Sequence, residues 1–260
     1  MSTDDMHQLA EHLYCRYKTD GDARRFLVGV AGIPGSGKST LAYPLTDAIN
    51  ALAKAAGEPE VAVCVGGDGW HYSQDELRKM EDPEQMFARR GAHFTFDGKA
   101  YAQFVADLDS STTCAFPLFS HREKDPVAGG RIEANHRIVL IEGLYVFLDV
   151  EPWRAAARRL DERIWVETSM DEARERLVRR HLSEGVESTR ERAIRRAEDS
   201  DLLNGAFVIE NSLPPTRVFT PQTAPAPSNA AFTQEAAEAE RYGATSAPNW
   251  SNSSAPLIST

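Results

Sequence analysis

Gly32, Gly37, Lys38 and Ser39, within the stretch GVAGIPGSGKSTLA at residues 29 to 42, carry the spacing of a loop that cradles phosphate. Such a loop must turn several backbone N–H groups toward phosphate oxygens at hydrogen-bond distance, and a Cβ there would stand in the way. Gly35 and Gly37 meet that need. Lys38 then places a compact positive charge at the β- and γ-phosphates, the Ser39 hydroxyl can ligate Mg²⁺, and a helix opening at Ser39 turns its positive end to the anion. We assign Gly32, Pro34, Gly35, Ser36, Gly37, Lys38, Ser39 and Thr40 to a bound nucleotide. A glycine turn without a ligand is the alternative, but few chance matches fall between a strand and a helix.

A phosphoryl group held there needs a destination. Asp68 follows VAVCVGG and so lies just past the C-terminal end of a strand, the edge of an open α/β sheet where ligands collect. A carboxylate in that place can take a hydroxyl proton as the oxygen attacks the γ-phosphorus. A turn-forming aspartate and a member of the Mg²⁺ shell are its other readings. Glu142 closes the apolar run IVLIE, a position from which an acidic group reaches the metal or its waters. Arg89 and Arg90 would suit a carboxylate or phosphate on the acceptor, while ion pairs within the fold explain one of them equally well. His93 and Asp97 either shape the same wall or, for Asp97, cap a helix start. His7, His12 and His136 receive no role, and Trp70, Phe116 and Phe119 serve as pocket or core packing.

These groups need a frame. Five apolar runs, FLVGVA (26 to 31), VAVCV (61 to 65), IVLIE (138 to 142), RIWVE (163 to 167) and AFVIE (206 to 210), read as strands alternating with helical patterns. The alternation predicts a parallel α/β sheet, and the near-continuous apolar character predicts cover on both faces. After the loop, TLAYPLTDAINALAKAAG reads as a helix with Pro44 in its first turns and Gly57 as its stop. SMDEARERLVRRHLSEG opens with a Ser169 to Glu172 capping box and closes at Gly185.

Composition sets outer limits. A chain of 260 residues with 42% hydrophobic content can bury one substantial core with room for a lid. The formal net charge of -10 argues against nucleic acid as a partner. Cys15, Cys64 and Cys114 lie far apart without metal spacing, which fits buried thiols in a reducing compartment. The N-terminus is polar and amphipathic, and no later run approaches membrane-spanning length, so we expect a soluble, cytoplasmic protein with no membrane partner. From Pro214 the chain turns rich in Pro, Ala, Ser and Thr; such a segment is expected to be disordered, with a brief helix at TQEAAEAERY, or to act as a partner-binding tail.

Taken in order, GIPGSGKST, GGDGWHYSQDEL, MFARRGAHFTFD, FPLFSHREKDPV and IVLIEGLYVFL resemble the phosphoribulokinase/uridine kinase family of P-loop kinases over roughly residues 25 to 210. Within it, DGWHY, RRGAHFTFD and PLFSH are similar to bacterial-type pantothenate kinases, and IEGLYVFLD with EPWR to fungal and plant uridine-kinase-like proteins. The resemblance implies an NMP-kinase-like sheet of five parallel strands with a helical lid, ATP and Mg²⁺, and transfer of the γ-phosphoryl group to a hydroxyl of a small metabolite. With the composition change at Pro214, the chain divides into an N-terminal helix (1–24), a P-loop kinase domain (25–213) and a tail (214–260), and a homodimer is a possible assembly. By position, Asp68 matches the family's general base, Lys38 and Ser39 its phosphate and metal contacts, and Glu142 the acidic end of its Walker B strand. Tyr72 and His121 match positions that line the acceptor pocket, alongside Arg89 and Arg90. Arg176, Arg179 and Arg180 fall on the helix resembling the arginine-bearing lid, and Arg180 is the one we assign to the transferring phosphoryl group. RLVRRHLSEGVESTRER does not reproduce the uridine kinase lid pattern, so the resemblance does not carry uridine itself.

Two other classes stand beside a metabolite kinase. A P-loop ATPase or nucleotide-dependent regulator would need no acceptor wall, and adding metabolites would leave its turnover unchanged. A non-catalytic binding protein acting through the tail would tolerate loss of Asp68.

Overall fold

Four of the five apolar runs become strands of one sheet, and the fifth does not. The computed structural model describes residues 3–20 and 24–221. Helix α1 (Thr3–Asp20) precedes β1 (Phe26–Ala31), the glycine loop, α2 (Lys38–Ala55) and β2 (Ala62–Gly66). A 3₁₀ turn (Gly67–Trp70), short helices α3 (Gln74–Leu77) and α4 (Pro83–Ala88), and α5 (Gly98–Asp107) lead to a hairpin of β3 (Cys114–Ser120) and β4 (Asp125–Ile132). Next come β5 (Ile138–Glu142), α6 (Arg154–Ala157), β6 (Glu162–Val166) and α7 (Met170–Ser183). The chain then runs through α8 (Arg190–Arg196), a π-helical turn (Ala197–Asp201), α9 (Leu202–Asn211) and β7 (Arg217–Phe219).

The main sheet has five strands in the order β2-β5-β1-β6-β7, and every neighbouring pair is parallel. Strands β1, β2 and β5 are buried at every residue, as their unbroken apolar character requires. On one face Leu27, Val65, Val139 and Ile141 pack with Tyr101, Phe104, Phe147 and Trp153. On the other, Val28, Val30, Cys64 and Leu140 pack with Leu13 of α1 and Leu41, Leu45 and Ile49 of α2. Each such aliphatic or aromatic side chain, removed from water, contributes about 1.5–3 kcal/mol before chain entropy is set against it.

AFVIE is helix, not strand: it lies in α9, which continues the helical run from Arg190. A short apolar run cannot by itself tell a buried strand from a buried helix. Here Asn204, Gly205 and Val208 are buried while Leu203 and Ile209 are about half exposed, the spacing of one helical face. The sheet's fifth strand is instead β7, inside the segment expected to be a tail from Pro214. Arg217, Val218 and Phe219 pair with Ile164, Trp165 and Val166, and Phe219 is buried, so the ordered fold extends past residue 213. The helix expected at TQEAAEAERY lies outside the described residues.

The β3–β4 hairpin was also not foreseen. Pro117 interrupts its pattern at a bulge between Phe116 and Pro117, and the ring of Phe116 lies where a Cβ on Gly130 would stand. Helix α2 stops as expected at Gly57, left-handed at φ 76°, but Pro44 lies inside the helix rather than among its N-terminal orphan donors. No two of the three cysteines form a disulfide; Cys64 is buried as expected and Cys114 half-buried, but Cys15 is exposed on α1.

Candidate functional site

Three strand ends meet at one edge of the sheet. Because β5 lies between β1 and β2 with Glu142 opposite Val30 on one side and Gly66 on the other, the loop after β1, the end of β5 and the turn after β2 stand side by side. The loop is held by its own glycines and by packing. Gly35 and Gly37 adopt left-handed backbone at φ 79° and 94°, which a side chain would strain. Gly32 has a different reason: a Cβ there would lie 2.6 Å from the Val166 carbonyl oxygen and 2.7 Å from Ser36 Oγ. Ser36 is fully buried, Pro34 and Gly205 of α9 pack together, and Thr40 is exposed in the first turn of α2. No side chain caps α2, so its first N–H groups are left to an anion.

Lys38 Nζ donates to the Ile33 carbonyl at 3.2 Å, and Ser39 Oγ donates to Glu142 Oε1 at 3.1 Å. Burial pushes the Lys38 ammonium below its usual range; the charges of Glu142 and Asp68 push it back up, and Arg180 lowers it again. One amine therefore senses Glu142, Asp68 and Arg180 together, although these come from β5, the turn after β2, and α7. Arg180 itself is exposed.

Sequence spacing did not distinguish the lid arginines. Arg176, one turn before Arg180, donates from Nη1 to the Gly35 and Ser36 carbonyls, both at 3.2 Å, and from Nη2 to Glu172 Oε1 at 2.6 Å. By drawing those carbonyls toward α7 it holds the loop's peptide planes, and the i, i+4 pair with Glu172 holds Arg176. Ser169 caps α7 as expected, accepting from the Glu172 N–H at 3.2 Å, but the Glu172 carboxylate turns to Arg176 and Thr168 instead of closing the box.

The Asp68 turn is fixed from behind. A Cβ on Gly69 would lie 2.0 Å from the Pro117 carbonyl oxygen, so the hairpin presses on the turn where only glycine fits. His71 Nδ1 donates to the Asp68 carbonyl at 2.8 Å, which sets its tautomer, and its ring lies against Phe96 and Phe119 at 3.8 and 4.8 Å between centroids. Burial holds the His71 pKa down, against the Asp68 charge and hydrogen bond, with Arg90 and His121 lowering it further. His71 was passed over in the sequence, where its only signal is its place three residues after Asp68.

Acceptor-side candidates separate in space. Arg90 donates to the Lys124 carbonyl, to the Tyr72 carbonyl at 3.0 Å and to Asp125 Oδ1 at 2.8 Å, and so ties the hairpin to the Tyr72 segment. Among the described residues the Arg89 side chain makes one hydrogen bond, at 3.4 Å to Asn204 Oδ1 of α9. Tyr72 is half-buried, its hydroxyl pKa raised by burial and by Asp97 and Glu76. His121 is exposed and edge-on to Phe119. Asp97 caps α5, accepting from the Ala100 N–H at 2.9 Å, and His93 stacks on Phe207 at 4.3 Å. A buried tyrosine the sequence did not single out, Tyr145, donates to the Gly91 carbonyl at 2.7 Å. Burial raises its pKa, the charges of Asp68 and Asp201 raise it further, and Arg89 lowers it.

A central strand followed by a glycine loop and helix, flanked by strand ends bearing Glu142 and Asp68, defines a P-loop α/β kinase fold. The model of the phosphoribulokinase/uridine kinase family matches residues 27–196, and the chain belongs to that family. It is similar to a Schizosaccharomyces pombe protein provisionally named as a uridine kinase, 36% identical over 75% of this chain and 83% of the other. An ATP-dependent kinase-like protein of Aspergillus versicolor, notR′, is 38% identical over 56% of this chain and 89% of its own. Among solved structures, a Silicibacter kinase provisionally assigned to fructose transport superposes with a TM-score of 0.72 at 30% identity, over 82% of this chain and 98% of that one. The protein is thus a P-loop kinase of this family, which implies ATP as its nucleotide. Among the described residues no helix is long and apolar enough to cross a membrane.

Proposed function

We propose that the protein transfers the γ-phosphoryl group of ATP to a hydroxyl of a small metabolite. The observation that carries this reading is the sheet edge where the glycine loop after β1, Glu142 at the end of β5 and the Asp68 turn after β2 stand side by side, with Ser39 bonded to Glu142. Asp68 accepts the proton of the acceptor hydroxyl as the new O–P bond forms and the bond from γ-phosphorus to the β–γ bridging oxygen breaks, releasing ADP. Lys38, with Arg180 from α7, balances charge on the transferring group, and Arg176 keeps the loop in place.

Ser39 and Glu142 form a hydroxyl–carboxylate pair of hard oxygen donors, which suits Mg²⁺. Mg²⁺ keeps several waters and takes few protein ligands, so one hydroxyl and one carboxylate would be enough to hold it beside the phosphates. When bound, Mg²⁺ neutralises phosphate charge.

The relatives' names point to different acceptors, uridine in one and fructose transport in another, so the acceptor must be read from this chain's own wall. A screen with ATP against pantothenate, uridine, cytidine, glycerate, nicotinamide riboside and sugars tests the reading, with product followed by mass spectrometry. Phosphorylated product in the wild type and its loss in Asp68→Asn are expected. ATP hydrolysis unaffected by every acceptor would favour the ATPase reading instead.

A further inference from the structure

Two adjacent arginines sit on the acceptor side, and their surroundings differ. Both Nε atoms are buried without a hydrogen-bond partner, so the distinction lies in the terminal nitrogens. Those of Arg90 are taken up by the Asp125 carboxylate and two backbone carbonyls, and its side chain is only 16% exposed. For Arg89, also half-buried, no carboxylate among the described residues lies within the 4.0 Å of an ion pair, and its one acceptor, Asn204 Oδ1, is distant at 3.4 Å. A half-buried guanidinium without an anion is costly, because water is partly removed and nothing of opposite charge replaces it.

The wall around Arg89 is built, not open. Asn204 is 5% exposed on α9, His93 is fixed against Phe207, and the Tyr145 hydroxyl is bonded to the Gly91 carbonyl. Asn204, which accepts from Arg89, precedes Gly205, which packs on Ile33 and Pro34 of the glycine loop, so Arg89 is tied by one side chain to the segment that lies on the nucleotide edge. Beside Ala88, the residue before Arg89, a cleft of about 560 Å³ is lined by Arg192, Arg195 and Arg196 of α8 together with Glu187 and Asp199, and Glu187 pairs with Arg192 at 3.0 Å.

We propose that the acceptor carries an anionic group, a carboxylate or a phosphate monoester, bound by the Arg89 guanidinium with Asn204 beside it, while Arg90 serves the fold. This rests on the kinase reading and narrows its substrate class. The guanidinium fork matches two oxygens of either anion, and Asn204 can donate from Nδ2 to the same group while accepting from Arg89.

The test compares matched compounds: glycerol, D-glycerate and glycerol 3-phosphate; ribose and ribose 5-phosphate; pantothenol and pantothenate. Each is measured with the whole chain and ATP for product, and separately for acceptor-dependent rise in Tm. In the wild type, an anionic member of a set is expected to bind and react at least about tenfold better in kcat/KM than its neutral partner; the carboxylate and phosphate arms tell which anion is meant. Arg89→Gln should raise KM for that anion at least about tenfold with KM for ATP and the unliganded Tm unchanged, and Arg89→Lys should restore part of the loss. Preference for neutral members, or an Arg89→Gln enzyme with the wild-type KM for the anion, would overturn the anion site while leaving the kinase reading intact. An Arg89-dependent rise in Tm with an anion but no product would overturn phosphoryl transfer and keep the site. Neither product nor a rise in Tm with any compound would overturn both.

Discussion

The two walls of the cleft are built differently. On the nucleotide side, each group follows directly from a strand end: the loop from β1, Glu142 from β5, Asp68 from β2. Their spacing is set by the parallel register of adjacent strands, and backbone does most of the positioning. On the proposed acceptor side, Arg89, Tyr145, His93 and Asn204 come from short helical turns, a strand-to-helix connection and α9, which are joined through side-chain packing. The lesson is that a phosphate can be held by a short local sequence, whereas an acceptor is recognised by a surface assembled from distant segments.

The sharpest break of this comparison is at Asp68. Asp68→Asn keeps the shape and removes the base, so transfer should fall about 10²-fold or more while ATP affinity, measured by calorimetry, stays within a few-fold. Equal product yield from variant and wild type would remove Asp68 as base. Next in size, Lys38→Ala should weaken ATP binding or lower turnover at least about tenfold, roughly 1.4 kcal/mol, and wild-type behaviour in both would sink the assignment of the loop.

The lid arginines sharpen the contrast on a smaller scale. Arg176→Ala loosens the Gly35 and Ser36 peptides, so KM for ATP should rise several-fold. Arg180→Ala, removing an exposed group within electrostatic reach of Lys38, should lower kcat with little change in KM for ATP. If the two variants show the same split, the division of labour within α7 is wrong. The smallest effect concerns the edge of the sheet. A chain ending at residue 213, without β7 and the buried Phe219, should melt several degrees below one ending at residue 221. Equal melting temperatures would show that β7 adds nothing to the fold.

Legibility followed the range of the forces involved. Strands β1, β2 and β5 were readable because burial on both faces demands continuous apolar residues, β6 from its short run Ile164 to Val166, and α7 because Ser169 and Gly185 mark its ends. AFVIE misled for the same reason: an apolar run records that a segment is buried but not whether its neighbours along the chain are helical. β7 was hidden inside a Pro- and Thr-rich stretch, since a short edge strand needs only one buried side chain and a partner to pair with.

Sequence alone determined the loop, the carboxylates beyond β2 and β5, and hence the nucleotide-binding edge, because local backbone geometry and parallel register place those groups with little help. The pattern RRG at residues 89 to 91 could not say which arginine faces inward. Only the tertiary structure decided that Arg90 is spent on Asp125 and the hairpin, that Arg176 rather than Arg180 grips the loop, and that the Tyr145 hydroxyl bonds the Gly91 carbonyl. The physical reason is that a long, flexible cation takes its task from whichever carboxylate or carbonyl the fold brings near, and those partners lie far away in sequence.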